Sequence, residues 1–371
     1  MKMFQNITQV HQYQHCREFV EEFGITEKDF ILATKTIYNK YFADMDLKAK
    51  VFFKSDYGKG EPDDRMVNAL LADFRATDCN RIIAIGGGAV IDMAKILVLG
   101  GNGDAADYYQ RKIPLEKVLP IIAVPTTCGA GSEVSSVSIA EFVDMGTKVG
   151  LADPSIFPDH AIIIPELLTE LPYDFFATSA IDALIHAIES YVSPRANLYT
   201  RMFAKQAMEM ILKGFAEIVE KGPEHRFNLL EEFLVASDLA GISFANAGTG
   251  AVHAMSYPLS GAYHVTHGEA NYQFLTEVFK HYQAANPTGF ITELNAFLGG
   301  VMGCNPDDVY PEIEKLLGKV IAKKPLHEYG MKEEEIESFA VSVEKSQQRL
   351  LNQSYVKFSI EEMMEIYRAL Y

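Results

Sequence analysis

The chain has 371 residues, 48% of them hydrophobic, and a formal net charge of −17. That is more than one hydrophobic core usually holds, and the wrong sign for a nucleic-acid or anionic-membrane partner. No uncharged apolar run approaches the roughly 18 residues of a membrane helix, and the N-terminal MKMFQNITQVHQYQHC lacks the apolar run of a secretory signal. Cys16, Cys79, Cys128 and Cys304 are scattered, suit neither a disulfide framework nor a zinc ribbon, and point to a reduced cytoplasm.

In the first half, Phe30–Ala33, Arg81–Ile85, Pro120–Val124 and Ala161–Ile164 are short runs rich in Ile, Val and Leu, which predict buried strands of a mostly parallel sheet. Ala89–Leu99 has helical character between two of them, so the first half is expected to be an α/β layer structure. After Leu171–Pro172 the rhythm changes. Segments 173–192, 200–220, 226–243, 270–284, 309–323, 333–351 and 360–371 carry apolar positions at helical spacing, and Phe203, Ala207, Met210, Ile211 and Phe215 would share a face. The second half is expected to be all-helical. The boundary is placed near 171, and a cleft between the halves is the default place for a site.

Arg81-Ile-Ile-Ala-Ile-Gly86-Gly87-Gly88-Ala89-Val90-Ile91-Asp92 runs from a strand into a helix. Glycines let the backbone approach a phosphate, and the helix N-terminus adds unpaired N–H donors and a favourable dipole. Ile91 stands at the third glycine of a dinucleotide fingerprint, so a plain flexible turn is the competing reading. Pro125-Thr126-Thr127-Cys128-Gly129-Ala130-Gly131-Ser132-Glu133 also follows an apolar strand and combines two glycines with three hydroxyls. Alone it could be a capped turn, but two such loops after strand ends favour a nucleotide crevice.

In the helical half, Asp182-Ala-Leu-Ile-His186 places a carboxylate and an imidazole on one helical face, inside the mainly apolar run Ser179–Ile188. A carboxylate buried there needs a strong partner. Downstream, His253, His264 and His267 bracket Pro258 and Gly261, which are expected to interrupt a helix, leaving His253 on the helix and His267 beyond a loop. One carboxylate and three neutral imidazoles suit Fe²⁺, Zn²⁺ or Mn²⁺ with one position left for substrate. His11, His15, His160, His225, His281 and His327 read as ordinary surface or hydrogen-bonded core histidines.

Together the GGG-x-V-I-D block at Gly86–Asp92, the P-T-T-x-G-x-G-S-E block at Pro125–Glu133 and the D-A-x-x-H block at Asp182–His186 resemble the iron-dependent (group III) alcohol dehydrogenases, over nearly the whole chain and in family order. The resemblance implies a dinucleotide-binding α/β domain over 1–171 and an all-α metal-binding and catalytic domain over 172–371. It implies Asp182, His186, His253 and His267 as metal ligands, with Fe²⁺ favoured over Zn²⁺. It implies that Gly86, Gly87, Gly88, Thr126, Thr127 and Lys148 contact NAD, with Asp92, Ser132 and Thr34 in the same set. Two departures stand out. Tyr257 replaces the histidine of the usual His-Pro-Leu-Gly, and Ala33-Thr34-Lys35 offers no carboxylate for the ribose hydroxyls, leaving NADP open.

The expected chemistry is hydride transfer between a small primary alcohol or aldehyde and the nicotinamide, with the metal as Lewis acid. His264 is the first candidate for proton relay and Tyr257 the second. The resemblance points to 4-hydroxybutyrate and succinate semialdehyde, whose carboxylate needs a cation, for which Arg195 and His264 are candidates. A homo-oligomer is expected. The alternatives are a general short-chain alcohol or diol dehydrogenase, a carbocycle-forming lyase of the same architecture, and a non-catalytic nucleotide-binding regulatory protein.

Overall fold

The structure is a computed structural model and describes residues 3–371. The chain divides into two compact units, one over Asn6–Leu171 and one over Pro172–Tyr371 with the described residues before Asn6.

The first unit is built on eight strands: β1 (Gln9–Gln12), β2 (Asp29–Ala33), β3 (Lys50–Phe53), β4 (Arg81–Gly86), β5 (Ile121–Pro125), β6 (Val137–Phe142), β7 (Thr147–Ala152) and β8 (His160–Ile163). Six of them form a sheet in the order β1-β8-β5-β4-β2-β3, and every pairing in it is parallel. β2 and β5 are buried at every residue and β4 at all but Arg81, which explains their continuous apolar runs. β1 and β3 are the edges. Covered less completely, they carry polar residues and escape a search for apolar runs. β6 and β7 pair separately as an antiparallel hairpin, also unanticipated.

Helices α1 (Cys16–Phe23), α2 (Lys35–Tyr41), α3 (Asp64–Arg75), α4 (Gly88–Leu97) and α5 (Ala105–Tyr109) complete this unit. α4 is buried from Val90 to Leu97 and shares a core with Phe30 and Leu32 of β2, Ile82 and Ala84 of β4 and Leu70 of α3. After β2 the chain steps outward to β3, then returns to place β4 on the other side of β2. The carboxyl ends of β2 and β4 therefore flank the topological switch point, where open parallel sheets bind their ligands.

The second unit contains α6 (Tyr173–Val192), α7 (Leu198–Lys221), α8 (Leu230–Ala247), α9 (Ala251–Tyr263), α10 (His267–Ala285), α11 (Phe290–Met302), α12 (Val309–Val320), α13 (Ile336–Ser346), α14 (Gln348–Leu351) and α15 (Ile360–Leu370), and among the described residues it has no strand. α6 is buried on nearly every side from Phe176 to Val192, as its uniformly apolar sequence demands. It packs against α7, α8 and α10. The expected break at Pro258 and Gly261 does not occur: α9 continues through both to Tyr263. Proline removes one helical N–H, and the Tyr367 hydroxyl donates to the Met255 carbonyl at 2.6 Å within the same stretch. Segment 333–351 holds two helices rather than one. Among the described residues, no helix is long and apolar enough to cross a membrane.

Candidate functional site

Asp182 and His186 lie one turn apart on α6, His253 lies in the first turn of α9, and His267 opens α10. One ligand atom from each lies within 4.8 Å of all the others. His253 Nε2 is 3.0 Å from His186 Nε2 and 3.7 Å from Asp182 Oδ1, while His267 Nε2 is 3.9 Å from Asp182 Oδ2. Bonds of about 2.0–2.2 Å to a shared tetrahedral ion would separate donors by about 3–3.5 Å. The spacing and the chemistry of this donor set fit a divalent metal.

The cluster is protected. Asp182, His186 and His253 are buried and His267 is partly exposed. Burial alone would raise the Asp182 carboxyl, but the imidazoles of His186, His267 and His253 and the Asn271 amide together hold it below its ordinary value. Asn271 Nδ2 donates to Asp182 Oδ1 at 2.7 Å and lies 3.2 Å from His267 Nε2. The His186 ring stacks between Phe244 and His253, with centroids at 4.4 and 4.7 Å.

Three supporting residues escaped the sequence reading. Glu189 is one turn beyond His186 and contacts His253 Nδ1 at 2.6 Å. Asn271 lies four residues after His267, and Gly268 packs α10 closely on α6. The periodicity of Asp182, His186 and Glu189 on one face of α6 was the available signal for the first.

The two candidates for proton transfer are placed differently. Tyr257 is half-buried, its ring centroid 6.0 Å from that of His267. His264 is exposed and ends α9 in the left-handed region, at φ 54° and ψ 30°. Arg195 is exposed just past the end of α6. With the Gln353 amide oriented to satisfy its neighbours, its oxygen accepts from Arg195 Nη1 at 3.1 Å and its nitrogen donates to the Thr249 carbonyl at 3.3 Å.

In the first unit the two loops meet at the switch point. Thr34 follows β2, its N–H donates to the Ile85 carbonyl at 2.8 Å, and its Oγ1 would lie 2.9 Å from a Cβ on Gly86. Gly87 caps α4, and a Cβ there would meet Thr127 Cγ2 at 3.2 Å; one on Gly88 would meet the Ala130 Cβ at 2.8 Å. Thr126 N–H donates to the Gly86 carbonyl at 3.2 Å. The glycines are thus needed for contact between the loops, which leaves the amino end of α4 with bare backbone beside Thr127.

Asp92 faces inward. It accepts from Ser132 Oγ at 2.8 Å and from Ile139 N–H at 2.9 Å, with Lys95 Nζ at 3.5 Å. Asp92 and Ser132 therefore tie α4 to the second loop and to β6. Burial raises the Asp92 carboxyl, against the opposing charge of Lys95. Lys148 lies on β7, directly across from Glu141 of β6.

Comparison with known proteins decides the lineage. Residues 176–371 match the model described as the Fe-containing alcohol dehydrogenase family, C-terminal, and residues 5–165 match that of iron-containing alcohol dehydrogenase. The chain belongs to the iron-containing alcohol dehydrogenase family. It is 47% identical to the 4-hydroxybutyrate dehydrogenase of Clostridium kluyveri over 371 residues, covering 100% of both chains. It is 31% identical to long-chain-alcohol dehydrogenase 1 of Geobacillus thermodenitrificans, over 78% of this chain and 74% of that one. Among solved structures, 1,3-propanediol oxidoreductase superposes with a TM-score of 0.87 at 25% identity over 100% of both chains. Sulfoacetaldehyde reductase from Bifidobacterium kashiwanohense, solved in complex with NAD⁺, shares the fold with a TM-score of 0.86 at 24% identity, over 100% of this chain and 98% of that one. Membership in this alcohol dehydrogenase family does not favour the lyase and regulatory readings.

Proposed function

We propose that the protein is a metal-dependent dehydrogenase that interconverts 4-hydroxybutyrate and succinate semialdehyde, with NAD as the hydride carrier. The observation that carries this reading is the convergence of Asp182, His186, His253 and His267, in a chain 47% identical from end to end to a 4-hydroxybutyrate dehydrogenase. In this reading residues 1–171 bind the dinucleotide and residues 172–371 hold the metal and substrate.

Asp182 and the three imidazoles would hold Fe²⁺, with Zn²⁺ as the second choice of this donor set. When bound, the metal supplies Lewis acidity toward an alcohol or aldehyde oxygen, and the nicotinamide supplies the hydride acceptor or donor. Burial of the cluster excludes water and strengthens its electrostatics. Gly86–Gly88 present the amino end of α4 to a pyrophosphate, and Thr127 adds a hydroxyl beside it. Thr34 marks the ribose end. As a neutral side chain it neither selects for the 2′-hydroxyl nor repels a 2′-phosphate, so NADP is a permitted second carrier. Asp92 and Ser132 support the loops from within, and Lys148 contributes from the hairpin. Tyr257, beside His267, is the better placed of the two relay candidates; His264 and Arg195 remain as cationic partners for the substrate carboxylate. The assembly is a homo-oligomer in the cytoplasm.

The test is steady-state kinetics on 4-hydroxybutyrate and 1-butanol under one condition. A carboxylate recognised by the protein gives 4-hydroxybutyrate at least about tenfold higher kcat/KM, or about 1.4 kcal/mol. Equal values would leave a general short-chain alcohol dehydrogenase.

A further inference from the structure

Glu189 is only 2% exposed, yet it carries a carboxylate with two donors converging on it. Oε1 accepts from the Val252 backbone N–H at 2.7 Å, and Oε2 lies 2.6 Å from His253 Nδ1. The first contact satisfies an unpaired N–H in the opening turn of α9. A Cβ on Gly250 would come within 3.2 Å of Glu189 Oε1, so glycine at the start of α9 leaves room for the carboxylate.

The second contact fixes chemistry. A carboxylate only accepts, so the proton of the His253 imidazole resides on Nδ1. Nε2 of the neutral ring then carries a lone pair, and Nε2 is the atom 3.0 Å from His186 Nε2 and 3.7 Å from Asp182 Oδ1. We propose that Glu189 is a positioning residue: by holding His253 in the Nδ1–H tautomer at a fixed rotation, it makes Nε2 a metal donor. This rests on the reading of Asp182, His186, His253 and His267 as metal ligands. A histidine ligand commonly donates its other ring N–H to a carboxylate in this way, and losing such a partner weakens metal binding by about 10–100-fold.

An amide at this position separates the two duties. Glutamine offers one acceptor where two donors arrive. If its oxygen keeps the Val252 N–H, its NH₂ group faces His253 Nδ1 and drives the ring to the Nε2–H tautomer, pointing a proton at the metal position. If it turns over, the NH₂ group meets the Val252 N–H. The helix cap or the tautomer must be lost, at nearly unchanged side-chain volume.

The experiment measures Zn²⁺ affinity by chelator competition for wild type, Glu189→Gln and Asp182→Ala. It also records the imidazole ¹⁵N resonances of His253 in Zn²⁺-loaded wild type. The expected results are a Zn²⁺ affinity about 10–100-fold weaker in Glu189→Gln, and a protonated Nδ1 with Nε2 bound to the ion in the wild-type spectrum. Wild-type Zn²⁺ affinity in Glu189→Gln, with Asp182→Ala losing the ion, would overturn the role of Glu189 while sparing the ligand assignment. Retention by Asp182→Ala would overturn the ligand assignment itself. Should Glu189→Gln fail to fold, the wild-type spectrum still decides, because a proton on Nε2 contradicts the proposal.

Discussion

Gly268 meets Thr178 without room for a methyl group: a Cβ on Gly268 would lie 2.4 Å from the Thr178 carbonyl oxygen and 3.4 Å from the Asp182 Cβ. Because His267 precedes it at the start of α10, this approach sets how near that imidazole comes to Asp182. Backbone cannot yield as a side-chain tip can. Gly268→Ala should therefore push α10 off α6, lowering stability by about 1–3 kcal/mol and weakening divalent-metal binding. Urea unfolding and metal titration check both effects, and wild-type values in the two would show that the contact is slack.

Gly87 poses a different constraint. Its φ of −71° is open to any residue, so only space calls for glycine there. Gly87→Ala places a methyl group 3.2 Å from Thr127 Cγ2, at the opening of α4. The fold should persist, while NAD affinity falls at least about tenfold and metal content stays at the wild-type level. Calorimetric titration with NAD measures the first and elemental analysis the second.

Glu133 should leave a signature in the pH dependence of stability. Burial pushes its carboxyl from 4.5 up to about 7, against the opposing charge of Lys95. Between these values the folded chain keeps a proton that the unfolded chain has released. The associated stability is complete below pH 4.5 and is lost as the pH rises to about 7. Glu133→Gln should flatten that decline. Urea midpoints across this range, compared with wild type, provide the check, and parallel curves would remove Glu133 as its source.

Tyr257 is the proposed proton relay. Its ring flanks His267, so Tyr257→Phe keeps the packing and deletes only the hydroxyl. The expected outcome is a kcat lower by about 100-fold with metal content intact, at the modest end of what a positioned acid–base group contributes. Unchanged kcat would make the ring a wall of the pocket.

What the sequence disclosed follows burial. β2, β4, β5 and β8 were legible because they are covered on both faces and read as continuous apolar runs. β1 and β3 were hidden by their edge positions, and β6, with alternating burial, by its polar half. Asp182 and His186 announced themselves as polar residues at helical spacing in an apolar helix. Glu189, on the same face, drew no notice because the partners that reveal it, Val252 and His253, lie 63 and 64 residues away. Pro258 misled for the opposite reason: local propensity favours a break that tertiary packing overrides.

The central claim is that Asp182, His186, His253 and His267 hold a metal on which alcohol oxidation depends. The most direct measurement is the rate of NAD reduction by 4-hydroxybutyrate, followed by nicotinamide absorbance, for wild type, Asp182→Ala and His267→Ala. Each is assayed as purified, after chelator treatment, and after reloading with Fe²⁺, with bound metal counted at every stage. Wild type should lose turnover with its metal and regain both on reloading. The two variants, folded by circular dichroism, should bind little metal and stay inactive throughout. Full turnover by metal-free wild type, or normal metal content and rate in either variant, would contradict the account.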